Sequence, residues 1–488
     1  MFTTLKRLFL ENRNTRQTVF KNMFWLSFGQ LAGRLIRAAV IIYAARVLGA
    51  ADYGIFSYAL GLAAFFTIFA DVSINNILTR EASQKPAERS HYFATAFWIK
   101  LGLLILTTAL VVFVAPFFSK IEAARALIPF IALLTVFDGI REFGNSFLRA
   151  LEKMEVEAFV NTITNIAITA AGFAILSVSA TAYSLTMIYA FAGGVGAVVA
   201  IYVLRNEFHG VVANFRPELI KPLITAALPF ALLGVLGTFM LNTDMIMLGW
   251  WRTPEEIGFY SAAQKIIVVL YVLPTILSSA IFPVLARLAG QGRHDEVRVL
   301  IERAMSAVLM LAIPIAIGGV VLAAPIITFL YGAEYAPAVS AFMLLILTPL
   351  IIFPGTLLGN LILAYNKQKN VVWGIILGST SNIVFNALLI PVLGIAGAAL
   401  ATIVAQILNN GFIMNVIKKV VHFKILVHLT KIIGAGIVMG VCAFILNALG
   451  LHVVATIIIS GLIYFGALVF FREHVLSEAR ALATSFKN

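Results

Sequence analysis

Apolar runs of about 20 residues recur along the whole chain, each closed by a short polar or Gly/Pro cluster. A run of that length is what one helix needs to cross the hydrocarbon core of a bilayer. The pattern predicts fourteen spans, at 21–47, 54–79, 92–115, 124–148, 156–178, 182–204, 220–249, 258–285, 300–328, 336–365, 371–392, 394–417, 428–449 and 451–471. The strands of a porin-type barrel would alternate apolar and polar residues over about ten positions, and no such segments are visible. Lipid offers backbone groups nothing to bond to, so helices are the spanning element. The expected fold is an all-α polytopic membrane protein.

Composition sharpens this picture. Of 488 residues, 61% are hydrophobic and 12% charged, against about 25% charge in an ordinary soluble domain. The longest polar interruptions, near 205–220 and 286–300, are too short for a catalytic or nucleotide-binding domain. There is no GxxxxGK[ST] phosphate loop, so neither an enzyme nor a cofactor is expected. The single cysteine, Cys442, excludes an intrachain disulfide, and seven scattered histidines without an HxxxH pair give no metal site. The polar, basic start of the chain is unlike a secretory signal, so the first helix is expected to be retained.

The net charge of +13 would suit a nucleic acid, but the location of the charges argues otherwise. With the N-terminus inside, only Arg46, Lys120, Arg125 and Arg252 of 35 lysines and arginines fall in outer loops. Such a bias places both termini in the cytoplasm and the chain in the inner (cytoplasmic) membrane. Anionic phospholipids are then the partners of the basic surface, with no nucleic acid required.

The chain also resembles itself. Leu48-Gly49 followed by Asp52-Tyr53-Gly54 and Ser57 is matched, six spans later, by Leu248-Gly249 followed by Glu256-Ile257-Gly258 and Ser261. Gly144-Asn145 in the fourth span is matched by Gly359-Asn360 in the tenth. Six is even, so both copies enter the membrane in the same direction and the repeat is parallel. The expected organisation is a cytoplasmic segment at 1–20, a six-helix lobe at 21–210, a second at 211–420, and a terminal pair with a cytoplasmic tail at 421–488.

Arg34, Arg37, Asp71, Lys100, Asp138, Arg141, Glu142, Asp244 and Lys265 fall inside spans, where each costs about 2.5 to 3.5 kcal/mol unless it faces a polar interior or a partner. Ser27, Gln30, Arg34 and Arg37 follow helical spacing and form one stripe; Thr135, Asp138, Glu142, Asn145 and Arg149 form another. Spans two, five and eleven add Thr67, Asp71, Asn75; Asn161, Asn165, Thr169; and Ser379, Asn382, Asn386. Arg34 and Arg37 have no acid on their own helix, and their forked donors suit a phosphate or diphosphate. Arg141 and Lys100 are further substrate-binding candidates. Asp71, Asp138 and Glu142 are candidates for carrying a coupling ion. The competing account pairs Arg141 with Asp138 one turn away and treats the Asn and Ser residues as glue between helices. Asp244 and Lys265 are expected to form a structural ion pair. Prolines at 274, 283, 314, 325, 337, 349 and 354 mark places where helices eight to ten could break, and Gly436 and Gly440 form a GxxxG packing face.

Ala45-Arg46-Val47-Leu48-Gly49-Ala50-Ala51-Asp52-Tyr53-Gly54, Leu78-Thr79-Arg80-Glu81, Asp244 to Gly249, and Glu256 to Ala263 stand in a recognisable order. Together they resemble the polysaccharide transporter or oligosaccharide flippase family, O-antigen flippases included, of the multidrug/oligosaccharidyl-lipid/polysaccharide exporter superfamily. The resemblance covers nearly the whole chain. It implies two six-helix lobes plus a terminal pair, alternating access, and transfer of a polyprenyl-diphosphate-linked oligosaccharide to the outer leaflet. A polysaccharide polymerase and glycosyltransferases are the further partners that such a role implies. Two alternatives stay open: a cation-coupled multidrug antiporter of the same superfamily, and a membrane-embedded glycan-processing enzyme.

Overall fold

The computed structural model describes residues 15–423 and 429–471. The basic residues Lys6, Arg7, Arg13, Lys424, Arg472, Arg480 and Lys487, expected on the cytoplasmic side, lie outside the described residues, as do His428 and His474. Among the described residues every regular element is a helix. Thirteen stretches are long and apolar enough to cross a membrane, the first of them Phe24–Gln84 with 61 residues. At about 1.5 Å per residue that stretch is far longer than one hydrocarbon core, so it must cross twice. Gly49 makes this possible: its φ of 74° and ψ of 172° fold helix α1 (Thr15–Phe66) sharply in place of a loop. The expected count of about fourteen spans holds.

The chain divides into two compact units, Met1–Gly258 and Phe259–Asn488. In the first, α2 (Ile74–Gln84), α3 (Arg89–Ala109), α4 (Glu122–Ala150), α5 (Met154–Leu176), α6 (Ala182–Val203) and α7 (Ile220–Trp251) gather with α1. Ile77, Leu78, Phe93, Phe143, Phe147, Leu223 and Ala227 share its core, so α7 packs in one cluster with α2, α3 and α4.

The second span departs from expectation. Its apolar run predicts a continuous helix over 54–79, but α1 ends at Phe66, a 3₁₀ turn covers Thr67–Ala70, and α2 begins only at Ile74. Val72 and Ser73, at φ of 44° and 63°, occupy left-handed backbone that costs L-residues about 1–2 kcal/mol each. Asp71 compensates: its Oδ1 accepts from the backbone N–H of Asn75 at 3.2 Å and from Lys100 Nζ at 3.1 Å.

The two matching motifs meet in the first unit. A methyl group on Gly54 would sit 1.8 Å from the carbonyl oxygen of Pro254, and one on Gly258 would sit 2.0 Å from that of Ala50. Ala50 stands to Gly54 in one motif as Pro254 stands to Gly258 in the other, so the contact is reciprocal. Backbone oxygens cannot rotate away as side chains can. Gly54→Ala is therefore expected to cost about 1–3 kcal/mol and to lower the thermal midpoint of the purified protein. Gly102→Ala, whose methyl would meet nothing within 4 Å, is the matched control; equal midpoints for the two variants would contradict the contact.

In the second unit, proline sets the breaks. Helices α8 (Pro254–Leu270), α10 (His294–Val321) and α12 (Ala338–Leu345), the last preceded by α11 (Ala323–Tyr331), each end four residues before a proline, Pro274, Pro325 and Pro349. A proline ring clashes with the carbonyl four residues back and offers it no N–H, which is why the helix stops there. Pro283, Pro314 and Pro354 sit within unbroken helices α9 (Val272–Gly290), α10 and α13 (Pro349–Ala364). Helices α14 (Gln368–Leu393) and α15 (Ile395–Lys418) follow. The last pair, α16 (Leu429–Ala448) and α17 (Val453–Phe470), leans on α10. Gly436 and Gly440 face Ile313 and Ile317 with no room for a Cβ, and Tyr464 donates to the Met310 carbonyl at 2.8 Å.

Candidate functional site

Small residues open the site before charged ones fill it. Gly29 and Gly33 lie on one face of α1; a Cβ at Gly33 would meet the Asn165 amide at 2.7 Å, and one at Gly29 would meet Ala158 at 3.0 Å. Their absence of side chains lets α5 lie close against α1. On α6, Gly196 leaves space for the stem of Arg141, whose Cδ a methyl there would approach to 2.8 Å.

Arg34 and Arg37 from α1, Arg141 and Glu142 from α4, and Asn161 and Asn165 from α5 line a cavity of about 290 Å³ within this unit. Of the stripe on α1, Arg34 and Arg37 thus turn inward together. The side chains of Ser27 and Gln30 lie outside the described residues.

Each arginine is set differently. Arg37 Nε donates to Asn165 Oδ1 at 2.9 Å, and its guanidinium carbon lies 5.9 Å from the centre of the Tyr189 ring. Polar and aromatic partners that carry no charge orient the fork without neutralising it. Arg34 is the exposed member. Arg141 is buried and held by two acids, with its Nη2 3.1 Å from Asp138 and 3.2 Å from Glu142. Its Nε has no hydrogen-bond partner among the described residues. Asn145 bridges α4 and α5, donating to Asn161 Oδ1 at 3.0 Å and to Glu142 at 3.3 Å. Arg149 is bound to Glu157 on α5 at 2.9 Å and reaches Glu142 only at 3.7 Å. The expected pairing of Arg141 with Asp138 is therefore present, and Arg34 and Arg37 line the cavity beside it.

Lys100 does not line the cavity; its ammonium goes to Asp71. Asp244 is buried in the first unit, while Lys265 belongs to the second. Outside the spans, the hydroxyl of Tyr92 and the carboxylate of Glu81 hold the Lys85 ammonium above its ordinary value and fasten α2 to α3. Gly29, Gly33, Gly196, Tyr189 and Glu157 were missed from sequence. Gly29 and Gly33 form a GxxxG pair, which is a signal for close helix approach and could have been found. Nothing in the sequence ties Tyr189 or Gly196 to an arginine on another helix.

Fold and site together define a multi-pass helical membrane protein with an arginine-lined cavity in its first unit. Residues 19–289 match the family model described as polysaccharide biosynthesis protein, and residues 229–392 match the MatE model. The first match covers more than half of the chain, which belongs to the polysaccharide biosynthesis protein family. It is 24% identical to "Probable flippase AglR" of Haloferax volcanii over 81% of this chain and 83% of that one. It is 23% identical to "Lipid II flippase MurJ" of Bacillus subtilis over 84% and 85% of the two chains. Among solved structures, lipid II flippase MurJ in an inward closed conformation superposes with a TM-score of 0.70 at 18% identity, covering 92% of this chain and 99% of that one. The resemblance seen in the motifs holds across nearly the whole length.

Proposed function

We propose that the protein is a flippase that carries a polyprenyl-diphosphate-linked oligosaccharide from the cytoplasmic to the outer leaflet of the inner membrane. One observation carries this reading: Arg34, Arg37 and Arg141, from two helices, converge on one cavity inside a membrane-spanning bundle. Forked guanidinium donors match the paired oxygens of a diphosphate, and the surrounding low dielectric strengthens each contact. The names of the relatives, a probable flippase and a lipid II flippase, support the same class.

In this reading both termini are cytoplasmic and the lobes at 21–210 and 211–420 alternate access around the cargo. Asp138 and Glu142, beside Arg141, carry the coupling ion, and Asp244 pairs with Lys265. Anionic phospholipids hold the basic face. Glycosyltransferases supply the cargo and a polymerase consumes it. The chemistry is transport, without covalent change to the sugar.

The test is reconstitution of the purified chain in proteoliposomes with a fluorescent polyprenyl-diphosphate sugar, followed by quenching from outside. Protein-dependent loss of the protected fraction is expected, with the sugar-lipid recovered unaltered. A covalently changed product would favour the enzyme instead. The MatE match over 229–392 keeps a second reading, a cation-coupled multidrug antiporter. Efflux of organic cations without sugar-lipid movement would establish it, although three arginines repel such a cargo.

A further inference from the structure

The second span is interrupted where its sequence holds neither glycine nor proline; none occurs from Leu62 to Lys85. Glycine and proline, two common causes of a helix kink, are both missing here, and a β-branched Val72 at positive φ is unusual even in turns. A strained break without a breaker persists only while its surroundings hold it. Here the hold is Asp71. The same carboxylate oxygen accepts from the first turn of α2 and from Lys100 on α3, and the Lys100 side chain is only 3% exposed. Beyond the break, Thr79 Oγ1 donates to the Ser146 carbonyl at 2.8 Å and ties α2 to α4, the helix that carries Arg141 and Glu142.

We propose that residues 67–73 form a latched hinge: with Lys100 on Asp71 the span is broken, and with that contact released the same residues join α1 and α2 as one continuous helix. Continuity would advance α2 and, through Thr79, pull α4 along with it. Arg141 and Glu142 would shift relative to Arg34 and Arg37, which stay with α1, so the hinge changes the width of the cavity. Asp71 and Lys100 are thus positioning residues, with a task apart from that of Asp138 and Glu142.

The inference concerns how the cavity is shaped, and its test needs no cargo. Spin labels go at Gln84 and Val203, both exposed, in full-length protein in nanodiscs carrying Cys442→Ser. Double electron–electron resonance reads the distance between them. Lys100→Met, or Asp71→Asn should the first variant not fold, is expected to raise a second distance about tenfold relative to the first. Adding Ser73→Gly, which relieves the left-handed strain of the broken form, is expected to return the distribution toward that of the parent. Unchanged distances in Lys100→Met and Asp71→Asn, or no return with Ser73→Gly, would overturn the hinge and leave the flippase reading untouched.

Discussion

Replacing Arg34 and Arg37 together by alanine is expected to lower export of the native glycan by about 100-fold or more. Each hydrogen bond to a charged group contributes about 1.5–3 kcal/mol, and about 1.4 kcal/mol is tenfold in an equilibrium. Both guanidinium groups line the cavity, where Arg141 is already held by Asp138 and Glu142. The measurement is surface glycan in cells whose only copy is the variant, with protein abundance in the membrane as the control. Arg37→Lys should fall between, because an ammonium keeps the charge but loses the fork that Asn165 orients. Undiminished export from the double variant would remove these residues from the transport path.

Arg141→Ala should act mainly on stability. It leaves Asp138 and Glu142 without their shared partner, and a broken ion pair in a fully buried setting costs about 3–5 kcal/mol. Those two carboxylates keep 37% and 40% of their exposure, so a loss of about 2 kcal/mol is the expected size. Thermal unfolding of the purified variant measures it. Combining Arg141→Met with Asp138→Asn and Glu142→Gln should recover the midpoint while leaving sugar-lipid binding weak. Full recovery of binding in that triple variant would show that Arg141 serves packing alone.

The span count was legible because lipid leaves one solution to the backbone problem and apolar length measures it directly. Arg34 and Arg37 were legible for a related reason: a charge inside a span needs a destination, and helical spacing told which charges share one. The partners were not. Lys100 was expected beside the arginines, yet it reaches Asp71, because the choice between two polar destinations depends on how α3 is rotated, which an apolar helix does not encode in its own pattern. The interruption at Thr67–Ser73 was invisible since no glycine or proline announces it. The breaks ahead of Pro274, Pro325 and Pro349 were visible, and only the intact helices at Pro283, Pro314 and Pro354 needed the structure to tell them apart.

The reciprocal seating of Gly54 and Gly258 has a bearing on how such a chain can change over time. Each glycine is confined by a main-chain oxygen that belongs to the other motif, and no substitution of Ala50 or Pro254 removes an oxygen that every amino acid carries. A larger residue at either position has no remedy by a second mutation across the contact. The two motifs are thereby kept alike by each other, so that elsewhere the halves can drift apart in sequence while these two positions stay small.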